Sequence, residues 1–162
     1  MPIEVYRIDD RLVHGQVVVG WGQPLSLRFI VLVDDTVAAN DWERELYRMG
    51  TPPDMDLYVE SVESAARRLP EFAARRDAGL LVTSDVATMR RLCEAAPGIP
   101  AVNVGGIHYV AGRTPRLPYV FLTPDEEEGL RAIAAGGTVV TAQDVPGTEP
   151  VPLDALLAGD GS

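Results

Sequence analysis

The sequence contains no lysine: all 14 basic side chains are arginine. That absence removes the mechanisms that need a primary amine, among them the P-loop, the Schiff base and the receiver domain. Any phosphate handled by this chain has to be held by arginine and backbone amides. Cysteine is nearly as scarce; Cys93 stands alone and leaves no disulfide framework. No apolar run approaches the roughly 18 residues of a membrane span. The N-terminus shows no basic segment followed by an apolar stretch, so no signal peptide is visible and a cytoplasmic location is expected. Positive charge is short as well, with 24 acidic against 14 basic side chains and a net charge of −10. Nucleic-acid phosphates and anionic lipid would be repelled on average, which argues against a nucleic-acid partner.

What is present is ordinary globular composition, 46% hydrophobic and 23% charged, over 162 residues. A chain of that length buries roughly two thirds of its unfolded surface without metal or disulfide support. We read one domain over 1–158 and a disordered polar tail over 159–162. The pattern predicts strands at 3–8, 28–33, 56–59, 79–82, 100–104, 119–122 and 138–143. Between them it predicts a short helix over 15–22, then helices over 41–48 capped by Asn40, over 61–76 with a disturbance at Pro70, and over 85–96. A further helix starts at Thr123-Pro124-Asp125-Glu126, which combines an N-cap, a first-turn proline and a capping-box glutamate. A short closing helix covers 153–157. Strands alternating with helices imply a three-layer α/β/α domain with a mostly parallel sheet of six or seven strands and helices on both faces.

Ligands of such sheets bind beyond the carboxyl ends of the strands. Four polar loops fall there: Asp9 to His14, Asp34 to Thr36, Thr83 to Asp85, and Asn103 to Gly106. The first is the densest, with Asp9, Asp10, Arg11 and His14 within six positions. His14 at a helix start favours a bound anion, Arg11 offers a planar fork of donors, and Asp9 or Asp10 can orient an imidazole tautomer or hold Arg11. A neutral imidazole near neutral pH can accept and release a phosphoryl group. The same residues also suit a helix cap and a solvated turn. A metal site of Asp9, Asp10 and His14 lacks a second ligand cluster, so no metal is expected there.

The run Arg-Ile-Asp-Asp-Arg-Leu-Val-His-Gly-Gln-Val at 7–17 resembles the active-site signature of the IIB subunits of mannose/fructose/sorbose-type phosphotransferase systems. Val102-Asn103-Val104-Gly105-Gly106-Ile107 resembles the family's second glycine motif, Phe121 to Leu130 its late strand and acidic helix start, and Gln143 to Leu157 its ending. The resemblance implies a cytoplasmic phosphocarrier, associated with the inner membrane face through partner subunits. It would take a phosphoryl group from a phosphohistidine on a IIA partner onto Nδ1 of His14 and pass it to a sugar held by membrane IIC and IID subunits. It also implies phosphoryl stabilisation by Arg11 and no need for metal or nucleotide. Asp9, Asp10, Gly15, Gln16, Asp35, Thr83, Ser84, Asn103, Gly105 and Gly106 are supporting candidates, and His108 and Arg113 on the following loop are minor ones. Arg113 reads as a solvated loop residue or a dock for an acidic partner, and Cys93, Trp21 and Trp42 read as packing. Two other functions compete: a IIB-like regulatory protein that signals by its phosphorylation state, and, against the argument from absent lysine, a receiver-like domain phosphorylated on Asp9-Asp10 or Asp34-Asp35. A homo-oligomer is compatible with the sequence.

Overall fold

The computed structural model describes residues 2–158, so the tail expected at 159–162 lies outside the described residues. Its spine is a seven-stranded sheet of β1 (Ile3–Ile8), β2 (Leu27–Val33), β3 (Asp56–Glu60), β4 (Ala78–Thr83), β5 (Ala101–Val104), β8 (Val139–Ala142) and β9 (Val151–Pro152). The strand order is β3-β2-β4-β1-β5-β8-β9. Every pairing in it is parallel except that of β9 with β8. The expected α/β architecture is therefore present, with seven strands in the sheet.

The continuous apolar run of β2 follows from burial on both faces. Phe29, Val31 and Val33 join one core with α3 (Val62–Ala73), α4 (Val86–Ala95), α5 (Pro124–Ala135) and α6 (Leu153–Ala158). Ile30 and Leu32 point to the other, which is closed by Leu12, Val13, Val17, Trp21 and Val37. Helix starts follow local chemistry. Asn40 caps α2 (Asp41–Met49) by accepting from the Glu43 amide, Asp85 caps α4 through Thr88, and Thr123 and Glu126 form the expected capping box of α5. Pro70 is accommodated inside α3, which runs on to Ala73.

Four expectations change. The segment expected as an ordinary helix over 15–22 is a π-helical turn, Gln16–Trp21, in which the Gly22 amide reaches back five residues to the Val17 carbonyl at 3.0 Å. The strand expected near 119–122 is β7 (Val120–Leu122). It pairs antiparallel with β6 (Thr114–Leu117) in a separate hairpin, outside the main sheet. The loop expected at Asp34 to Thr36 opens a short helix, α1 (Asp35–Ala38), capped by Asp34. Trp42 is not a packing residue: α2 rests chiefly on α1, and Trp42, Leu46 and Met49 are left 73%, 50% and 76% exposed. Trp21, by contrast, is buried as expected.

Candidate active site at the carboxyl edge of β1

β1 lies in the middle of the sheet between β4 and β5, and its exit is fixed by both neighbours. The Asp9 amide donates to the Thr83 carbonyl at 2.9 Å, and the Asp10 amide to the Gly106 carbonyl at 2.8 Å. The chain then turns through Leu12, whose φ of 59° is left-handed although it is not glycine. The Leu12 side chain is buried and its amide closes on the Asp9 carbonyl at 2.9 Å. A leucine is held in that conformation only where packing and hydrogen bonding over-determine it. The turn delivers His14 to the mouth of the π-helical segment.

Asp9 is the hub of the site and is fully buried. Its Oδ1 lies 3.1 Å from His14 Nε2 and accepts from the Arg11 amide at 3.2 Å. Its Oδ2 faces Arg7 at 3.4 Å. The His14 contact is close but off the angle of a formed hydrogen bond, and Nε2 is buried with no other partner. It is a close contact between imidazole and carboxylate, an ion pair only when the ring carries a second proton. Burial opposes charge on Asp9, but His14, Arg7 and the Arg11 amide together outweigh it and hold the carboxyl below its usual range.

Arg7, which the sequence reading did not single out, is the largest fully buried side chain. It donates to the Gln143 carbonyl at 2.9 Å, to the Asp144 carbonyl at 3.0 Å and to Asn103 Oδ1, and its guanidinium lies 4.8 Å from the Trp21 ring centre. Burial pulls its pKa down, partly offset by Asp9; arginine nonetheless stays charged. Arg7 explains Gly105: a Cβ there would fall inside the guanidinium. The glycine is required by close approach rather than by a left-handed φ, which neither Gly105 nor Gly106 has. An arginine inside the apolar run of β1 was the sequence signal for this group.

Arg11 is exposed and donates to Gln16 Oε1 at 3.0 Å, while Gln16 donates to Asp144 Oδ1 at 2.6 Å. Gln16 therefore ties Arg11 to the loop after β8. Asp10 turns the other way and receives the His108 amide at 2.7 Å on Oδ2 and the His108 ring Nδ1 at 2.7 Å on Oδ1. Arg113 is neither a free solvated arginine nor an open dock. It forms a bidentate pair with Glu126 at 3.0 and 2.8 Å and donates to the His108 carbonyl.

Of the remaining candidates, Asn103, Gly105 and Gly106 belong to this assembly, whereas Thr83 joins it only through its backbone, its hydroxyl being on the Asp85 carbonyl. Gly15 has open space where a Cβ would stand. Asp35 and Ser84 do not join the site. Asp35 accepts from the Val62 amide and Arg91, and Ser84 donates to Asp34. Those contacts engage both carboxylates of the Asp34-Asp35 pair, one of the two pairs on which a receiver-like reading rests. Among the described residues no cluster of three or more histidine, cysteine or acidic side chains could hold a metal ion. No helix among them is long and apolar enough to cross a membrane.

A family profile described as the sorbose-subfamily IIB component of phosphotransferase systems matches residues 3–162. The N-acetylgalactosamine-specific phosphotransferase enzyme IIB component 1 of Escherichia coli is 32% identical over 88% of this chain and 90% of its own length. The mannose-specific EIIAB component of E. coli K12 is 31% identical over 93% of this chain. The chain spans about half the length of that relative, 46%. Among solved structures, the IIBSor domain of the sorbose permease from Klebsiella pneumoniae superposes with a TM-score of 0.86 at 25% identity, covering 98% of both chains.

Proposed function

Since the chain belongs to the sorbose-subfamily IIB components of sugar phosphotransferase systems, we propose that His14 is its phosphoryl carrier. His14 accepts from a phosphohistidine on a IIA protein and delivers to a sugar held by membrane IIC and IID subunits. The observation that carries this reading is the geometry of His14: with Nε2 buried against Asp9, Nδ1 is the nitrogen left to attack. In the first step the phosphorus–nitrogen bond of the donor breaks as the bond to Nδ1 forms. The ring then carries its remaining proton on Nε2, facing the Asp9 carboxylate, which offsets the positive charge the ring gains. In the second step the bond to Nδ1 breaks and a sugar hydroxyl oxygen takes the phosphoryl group, its proton leaving to a base outside this chain.

Phosphoryl transfer passes through a loose transition state and needs mainly positioning and charge neutralisation. Arg11, held by Gln16, supplies the neutralising fork. Buried Arg7 keeps Asp9 ionised and in place without reaching the transferred group itself. This assignment places the protein in the cytoplasm, at the membrane face only through its partners. The test is incubation with labelled phospho-IIA. We expect acid-labile, alkali-stable label on the wild-type chain and none on His14→Gln; label persisting in that variant overturns the assignment.

A further inference from the structure

Asp10 and His108 are not used in the steps above, and they are locked together beside them. One carboxylate takes both the backbone amide and the ring Nδ1 of His108, each at 2.7 Å. The loop that carries His108 is fastened on both sides, by the Asp10 amide on the Gly106 carbonyl at 2.8 Å and by Arg113 on the His108 carbonyl at 2.7 Å. A short path leads from this pair to the nucleophile. Asp10 directly follows Asp9, whose Oδ1 is 3.1 Å from His14 Nε2.

Charged groups surround His108 from three elements. The loop after β1 presents Asp10, with Arg11 next to it and Asp9 behind. Its own loop presents Arg113, and α5 presents Glu126, which Arg113 already neutralises. Asp10 is therefore a carboxylate on the same loop as His14, and among the described residues His108 is the histidine paired with it. The His108 side chain is 60% exposed, so its Nε2 edge can exchange protons with solvent.

We propose that His108, held by Asp10, is a positioning residue for phosphoryl transfer whose imidazolium offsets the charge of the group on His14, so that phosphorylation of His14 and protonation of His108 favour each other. The proposal rests on His14 as the phosphoryl carrier and adds a pH dependence to it. Coupling of two sites is reciprocal. The phosphoryl dianion and the positive ring that carries it together add about one negative charge, which at a separation on the order of 10 Å in water-like surroundings favours the imidazolium by about a third of a pKa unit at low salt. The same coupling makes phospho-His14 about twofold more favoured when His108 is charged, and the effect shrinks as salt screens it.

The chain has two histidines, so ring signals in an NMR titration resolve to His14 and His108. The probes are phosphorylated IIA and, as a small donor, phosphoramidate, at low and at physiological salt. We expect the His108 titration to move up by about a third of a unit on phosphorylation at low salt and by less at physiological salt. In the phosphoryl equilibrium with IIA between pH 5.5 and 8, the wild type should gain about twofold over His108→Gln at the acidic end and match it at the alkaline end. A His108 titration that stays put on a labelled protein, or a His108→Gln defect equal at every pH, overturns this proposal and leaves the carrier assignment standing. Failure of both donors to label His14 overturns the carrier assignment and this proposal with it.

Discussion

Replacing Asp9 by Asn removes one charge and almost no volume from the centre of the site. Asp9 and Arg7 are both fully buried and 3.4 Å apart, and breaking a buried pair by removing one partner costs about 3–5 kcal/mol. Arg7 keeps three neutral acceptors, Asn103 and the carbonyls of Gln143 and Asp144, which places the loss near the lower end, about 3 kcal/mol. For a chain of this size that is a fall in Tm of about 9 °C. The pH dependence carries the sharper signature. Asp9 titrates below its unfolded value, so its contribution is complete above the unfolded carboxylate pKa of about 4 and is lost as pH falls through the lower folded value. Urea unfolding of wild type and Asp9→Asn should therefore differ by about 3 kcal/mol at pH 7, and the gap should close below about pH 4. A difference under about 1 kcal/mol at pH 7, or one that holds constant down to pH 3, would refute the view of Asp9 as an ionised hub.

Further outcomes follow from the same structure. Gly105→Ala should cost about 1–3 kcal/mol, because the added methyl displaces the Arg7 guanidinium, whereas Gly106→Ala, with 3.5 Å of clearance from Asp9, should fall within about 1 kcal/mol of wild type; equal losses in thermal unfolding would contradict the close-approach explanation. Cys93, its thiol pushed up to about 11 by burial, should react with an aromatic disulfide reagent at pH 8 about two orders of magnitude more slowly than a free cysteine. A rate near that of the free thiol would place it at the surface rather than against the core.

The parallel sheet was readable because its central strands are buried on both faces, so Phe29 to Val33 and Gly79 to Val82 appear as apolar runs. Helix starts were readable where the cap is local, as at Asn40, Asp85 and Thr123. What could not be read depends on distant partners. The π-helical turn has no side-chain cap at its start, and Val17 and Trp21 follow the shape of the second core. The strand β9 is two residues long and exists through its pairing with β8. On α2 the apolar spacing of Trp42, Leu46 and Met49 is real, but the helix sits at the periphery and turns that stripe outward. At the site, the motif supplied His14, Asp9 and Arg11, while separating the duties of Asp9 and Asp10 required knowing that Asp9 points inward to Arg7 and Asp10 outward to His108. Asp144, 128 positions from Gln16, carries no local signal at all.

The most direct measurement of the central claim is nitrogen-15 and phosphorus-31 NMR on the ring-labelled chain after reaction with phosphorylated IIA. Phosphorus bonded to Nδ1 of His14, with Nε2 protonated and facing Asp9, is the predicted result; phosphorus on Nε2, on His108 or on a carboxylate would contradict it.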